Sequence, residues 1–238
     1  AGAELIALDS NPIDAIWADR PSAPLAPISL HPKKYAGEDA AKKLARIEKA
    51  LDGVSGLLIS DPHAVAWAFN IRGQDVAHTP LPLSYALLVK GRKPRLYLDP
   101  RKLNAKTQSV LEKLASLRAP NQLAADLKEA GEEGLSLRFD AATASEKLVR
   151  ALEESGGVAE IGADPIALMK ARKNAAELNG ARAAHLRDGV AMVRFLSWLS
   201  EAVPSGRVTE IDAVAALETF RRETGALKDV SFPTISGA

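Results

Sequence analysis

The chain has 238 residues, of which 47% are apolar and only 5% aromatic, so it can bury a large core built mainly from Leu, Ala, Val and Ile. Thirty-one basic residues face thirty acidic ones for a net charge of +1; that balance offers no electrostatic footprint for nucleic acid or an anionic membrane surface. The absence of cysteine excludes disulfides, thiolate nucleophiles and Cys-ligated metal centres and fits a reducing compartment, and no apolar run reaches the roughly 18 residues that a membrane span needs.

Residues 1–36 hold Pro12, Pro21, Pro24, Pro27 and Pro32 and read as an extended arm or linker. From Glu38, the spacing of Ala40, Leu44, Ile47 and Leu51 predicts a helix, ended by Asp52-Gly53. GLLIS (56–60) reads as a buried strand, and Asp61-Pro62 as a capped start of a short helix through Trp67. SYALLVKGRKPRLYLDP (84–100) predicts two strands joined at Lys90–Lys93. Helices over 104–116, 121–130 and 144–154 then alternate with strands over 135–139 and 158–164, which argues for a layered α/β domain.

The pattern changes near Pro165. A long helix over 175–201, opened by Asn174 with Glu177 three residues on, places His185 and Gly189 on its buried face; His185 reads as a packed, hydrogen-bonded core residue. A second helix runs over 211–223, opened by Thr209 with Asp212 and closed by Gly225. VSFPTISGA (230–238) reads as a further strand.

The chemical inventory is sparse. HExxH, GxSxG, GxxxxGK[ST] and GxGxxG are all missing, and none of the four histidines (His31, His63, His78, His185) has a partner at metal-ligand spacing. One stretch, AWAFNIRGQDVAHTP (66–80), runs from Trp67 and Phe69 into Arg72, Asp75 and His78. The aromatics read as core. The charged turn reads either as a solvated surface, where an Arg–Asp pair contributes little, or as a loop aimed at a ligand or another domain.

That stretch, continued as AWAFNIRGQDVAHTPLPLSYALL, resembles the middle domain of the long, three-domain Xaa-Pro aminopeptidases, through Val65-Ala66-Trp67, Asn70, Arg72-Gly73, Asp75, Pro80 and Ser84-Tyr85. IWADRP (16–21) resembles the start of the same domain. KNAAELNGARAAHLRDGVAMVRFLSWL (173–199) and VTEIDAVAALETFRRE (208–223) resemble the first two helices of the catalytic domain, and SFPTISG (231–237) the strand leading to its active site.

The resemblance implies an α/β fold: a creatinase N-terminal-like mixed-sheet middle domain over 16–165, preceded by a linker over 1–15 and followed over 166–238 by the first helices and strand of a pita-bread catalytic domain. It implies a cytoplasmic, homodimeric metallo-aminopeptidase that removes the residue before a Pro in second position, using two manganese ions held by two Asp, one His and two Glu. Those ligands are expected beyond Ala238, which makes this chain an inactive internal piece. Phe232 and Thr234 are expected to line the substrate cleft, with Arg72 and His78 on a loop that faces the catalytic domain or a dimer mate. A metal-free pita-bread relative acting as a protein-binding module is the alternative, since fold alone does not fix activity.

Overall fold

The computed structural model describes residue 6, residue 8 and residues 10–237. The expected linker over 1–15 falls in part on residues outside that set. The elements in order are α1 (Pro12–Ile16), β1 (Ser29–Leu30), α2 (Lys33–Ala36), α3 (Ala40–Lys49), β2 (Gly56–Ile59), α4 (Pro62–Ala68), β3 (Ile71–Arg72), β4 (Tyr85–Val89), β5 (Arg95–Tyr97), α5 (Ala105–Leu114), β6 (Ser116–Arg118), α6 (Leu123–Glu132), β7 (Ser136–Asp140), α7 (Glu146–Glu153), β8 (Val158–Gly162), α8 (Pro165–Ala171), α9 (Ala175–Ala202) and α10 (Glu210–Glu223).

Six strands form a mixed sheet in the order β6-β5-β4-β2-β7-β8. β4 runs antiparallel to β2 and β5, while β2–β7, β7–β8 and β5–β6 are parallel. The register explains why GLLI is apolar without alternation: Leu57 sits opposite Leu88 and Leu58 opposite Leu87, and both faces of the central strands are covered. Leu57, Ile59, Ala86, Leu88 and Leu96 turn to one side and pack with Leu44 and Ile47 of α3, Val65 of α4 and Leu111 of α5. Leu58, Leu87, Tyr97, Leu137 and Phe139 turn to the other and pack with Leu127 of α6 and Leu152 of α7. The result is a three-layer α/β/α module. Trp67 and Phe69 lie in the first of these cores.

Several expectations change. The Pro-rich segment is not an arm throughout. Ile28 is buried, and β1 pairs antiparallel with β3, Leu30 opposite Ile71. Ser116, read as the last residue of the helix over 104–116, instead opens the edge strand β6 beside β5. The helix stops at Leu114 because Ala115 turns extended (φ −146°, ψ 159°).

Residues 230–237 carry no strand; a strand needs a neighbouring ladder, and among the described residues none lies beside this segment. His185 and Gly189 are exposed rather than buried. Leu178 and Leu196 on the same line are exposed as well, so periodicity identified an apolar stripe but not a covered one. Asp188, one turn on from His185, pairs with Arg221 of α10 at 2.7 Å.

Candidate functional site

Two polar clusters flank the AWAFNIRGQDVAHTP segment. The first is enclosed. Asn70 adopts φ 51°, a left-handed conformation that Asn tolerates better than most residues. Its side chain donates to the Glu38 carbonyl at 2.8 Å and accepts from Lys43 Nζ at 2.8 Å. Lys43 also donates to the Trp67 carbonyl at 3.0 Å and lies 4.2 Å from the centre of the Trp67 ring. Burial holds the Lys43 pKa down at about 8 despite the attraction of Glu177 and Glu38.

Arg72 belongs to this cluster. It donates to the Ile71 carbonyl at 2.8 Å. Burial lowers its pKa, and Glu177 at the start of α9 partly offsets that effect. His31, stacked on Tyr35, completes the group; burial first, and then Arg72 and Lys43, lower its pKa to about 4.

The same region ties the module to α9. Asn174 and Glu177 close a reciprocal cap: Asn174 Oδ1 accepts from the Glu177 amide at 3.1 Å and Glu177 Oε2 from the Asn174 amide at 2.9 Å. Asn174 Nδ2 also donates to the Ala36 carbonyl at 2.8 Å. Gly37, at φ 72°, passes so close to Asn174 that a Cβ there would lie 2.2 Å from Asn174 Oδ1. A glycine is needed at this point both for the backbone conformation and for the approach.

The second cluster is the loop 73–83. Asp75 Oδ2 accepts from Lys102 Nζ at 2.5 Å and from the Leu83 amide at 2.7 Å. This is an enclosed ion pair, with 0% of the Asp75 side chain and 4% of Lys102 exposed, so the solvated-turn reading fails for Asp75. At the tip, His78 has φ 60° and places Nδ1 3.4 Å from Asp229 Oδ1. Asp229 stands at the start of a groove lined by Val230, Ser231, exposed Phe232, half-buried Thr234, Leu217 and Arg221.

The fold brings His78 beside Asp229, at the groove that holds Phe232 and Thr234. Arg72 is separated from them by its role beside Lys43, Trp67 and Glu177. The Asp75–Lys102 and Lys43–Asn70 pairs were not singled out from sequence. Asp75 was visible as a charged turn residue, but its partner 27 positions on could be found only in three dimensions. Among the described residues, no group of three or more His, Asp or Glu could hold a metal ion. The residues present do not fit a two-metal centre, and no chemical step of this chain is routed through one.

The family model of the creatinase/prolidase N-terminal domain matches residues 19–177. A Pyricularia oryzae protein named as a probable Xaa-Pro aminopeptidase P is 34% identical over 99% of this chain, which spans 40% of that protein's length. A Neurospora crassa protein of the same name is 34% identical over 99% of the chain and 36% of its own length. Among solved structures, an X-prolyl aminopeptidase from Caenorhabditis elegans, described as a cytosolic enzyme with a di-nuclear active site, superposes with a TM-score of 0.88 at 26% identity over 98% of this chain and 39% of that one. A Bacillus anthracis Xaa-Pro dipeptidase shares the fold at a TM-score of 0.57 and 19% identity, covering 78% of this chain and 50% of its own.

The mixed sheet, its two-sided helical cover and the 159 residues from 19 to 177 that fit the family model lead to one assignment: the chain belongs to the creatinase/prolidase N-terminal domain family.

Proposed function

We propose that this chain is part of a metal-dependent Xaa-Pro aminopeptidase that removes the N-terminal residue from peptides with proline in second position. The observation that carries the reading is the match to Xaa-Pro aminopeptidase P relatives along 99% of the chain, through α9, α10 and the segment at Phe232 as well as through the sheet module. In this reading residues 16–165 are the middle domain, and 166–238 open the catalytic domain, with α8 packed at the junction. Phe232, Thr234 and His78 contact the peptide, Arg72 stabilises the joint to α9, and the protein is a cytoplasmic homodimer. The manganese pair is held by residues outside this chain, so the 238-residue chain by itself cleaves nothing.

A bound Xaa-Pro peptide presents a tertiary amide with no N–H at the scissile bond. Recognition therefore falls on shape and on the few polar groups around it. An exposed aromatic at Phe232 beside a hydroxyl at Thr234 and an imidazole at His78 supplies that combination. The test is hydrolysis of an Xaa-Pro peptide by a protein of the relatives' length that carries these residues, loaded with manganese. Release of the N-terminal residue, with KM raised about tenfold by His78→Ala, is expected. No release from any Xaa-Pro peptide, while manganese binds, overturns the reading in favour of a binding module.

A further inference from the structure

The loop 73–83 is built as a finger with a locked neck. At its base Gly73 runs against the returning chain so closely that a Cβ would sit 2.7 Å from the Pro82 nitrogen. The Asp75 amide donates to the Leu81 carbonyl at 3.3 Å, and the Thr79 amide to the Val76 carbonyl at 3.2 Å, so the finger doubles back within a few residues. Leu81 is buried in the module's core.

Both hydrogen bonds of the Asp75 carboxylate converge on one oxygen, Oδ2. The other, Oδ1, is enclosed and has no hydrogen-bond partner among the described residues. Lys102 ends the turn Pro100–Lys102, and its carbonyl accepts from the Ile28 amide at 2.9 Å, so the cation is fixed to the sheet module. At the far end His78 is held at φ 60°, a conformation a non-glycine residue keeps only when its surroundings impose it. It is there that the finger touches Asp229.

An enclosed ion pair does little for net stability compared with apolar packing, but losing one partner leaves a charge stranded. Its position here favours geometry as its purpose. We infer that Asp75 and Lys102 are positioning residues for His78: their pair locks the neck of the 73–83 finger so that the tip holds His78 against Asp229 at the Phe232–Thr234 groove. The consequence for peptide binding rests on the peptidase reading above.

The test has two arms. In the 238-residue chain, the His78 ring resonances are followed by NMR with and without Asp229→Asn. They are expected to respond to Asp229→Asn in the parent sequence, and to lose that response in Asp75→Asn and in the double variant Asp75→Asn/Lys102→Met. The double variant removes both charges and strands neither, so it guards against simple unfolding. The amides of residues 76–79 and 81 should exchange at least about tenfold faster in both variants while α6 and α7 stay protected.

In a protein of the relatives' length, Asp75→Asn should raise KM for an Xaa-Pro peptide about fivefold with kcat within about twofold, and Asp75→Glu should recover part of the loss. A His78 response that persists undiminished in the double variant overturns the proposal, as does an unchanged KM once the finger has loosened. If the unsubstituted long protein cleaves no peptide, the peptidase reading fails while the NMR arm still decides this one.

Discussion

Asp164 caps α8 by accepting from the Ile166 amide at 2.7 Å. Burial, and then the neighbouring Asp140 and Asp61, raise its pKa to about 6 from 3.8. The folded chain therefore keeps a proton that the unfolded chain has shed between those values. The penalty for its charge is absent below about pH 3.8, grows through the window and is complete above about pH 6. Asp164→Asn keeps the cap and removes the charge, so it should stabilise the module by about 1–3 kcal/mol at about pH 7, with the gain vanishing toward about pH 4. His31 acts in the opposite sense. Its pKa falls from 6.5 to about 4, so the unfolded chain takes up the proton first, and the stability present above pH 6.5 is lost as pH drops to about 4. His31→Phe, which keeps a ring against Tyr35, should flatten that acid limb. Urea midpoints of the two variants between about pH 4 and 7.5 check both slopes; parallel curves for parent and variants would show that neither group governs them.

At the scale of elements, the start of α9 is the joint of the molecule. The Asn174 side chain caps the helix and also donates to the carbonyl of Ala36, the last residue of α2. Asn174→Ala removes the cap, which costs about 1 kcal/mol, and the tie to α2 with it; Asn174→Ser, which can cap but cannot reach Ala36 in the same way, separates the two effects. Amide exchange is expected to accelerate in α2 in both variants, because each loses the bond to Ala36. In the first two turns of α9 it should accelerate more in Asn174→Ala than in Asn174→Ser, while β2 and β4 remain as in the parent. Further along α9 the outward face carries Leu186 at 74% exposure and Val193 at 67%. The helix is held to α10 largely by polar pairs, Arg221–Asp188 at 2.7 Å and Arg194–Glu223 at 2.6 Å, around the buried Ala191 and Leu217. Substituting Leu186 and Val193 with Lys should leave the melting temperature of this chain nearly unchanged, since surface changes rarely exceed about 0.5 kcal/mol, and should reduce self-association measured by sedimentation.

For the whole molecule, the two parts differ in how completely they bury their own apolar surface. The sheet module has a core on each face of its sheet, and Ile166 of α8 lies inside one of them. A piece covering 10–174 therefore retains both cores and is expected to unfold as one cooperative unit with protected sheet amides. A piece covering 175–238 has α9, α10 and a segment without strand pairing among its described residues, and it should exchange rapidly or associate. A protected, monomeric 175–238 would contradict this division of the chain.

The strands and helices of the sheet module were legible because local signals agreed with the fold. Asp61-Pro62 opens α4, Asn104 caps α5, and the uninterrupted apolar run of β2 matches a strand covered on both sides. The capping boxes at Asn174 and Thr209 located the starts of α9 and α10 to within a residue. Four features were settled by tertiary contact instead. β1 and β3 hold two residues each and exist only as each other's partner. VSFPTIS has the composition of a strand but no ladder among the described residues, so pattern alone could not make it one. The stripe through His185 has a helical period, but periodicity reports which residues share a face and not whether anything covers it. The partners of Asp75 and His78 lie 27 and 151 positions away. Propensity, capping and apolar spacing are local, and so the amino-acid order was enough for the central strands of the sheet module, most of its helices and its family. The ion pair that locks the finger and the meeting of His78 with the Phe232 groove arose when the chain closed on itself, since both depend on distances that no local pattern encodes.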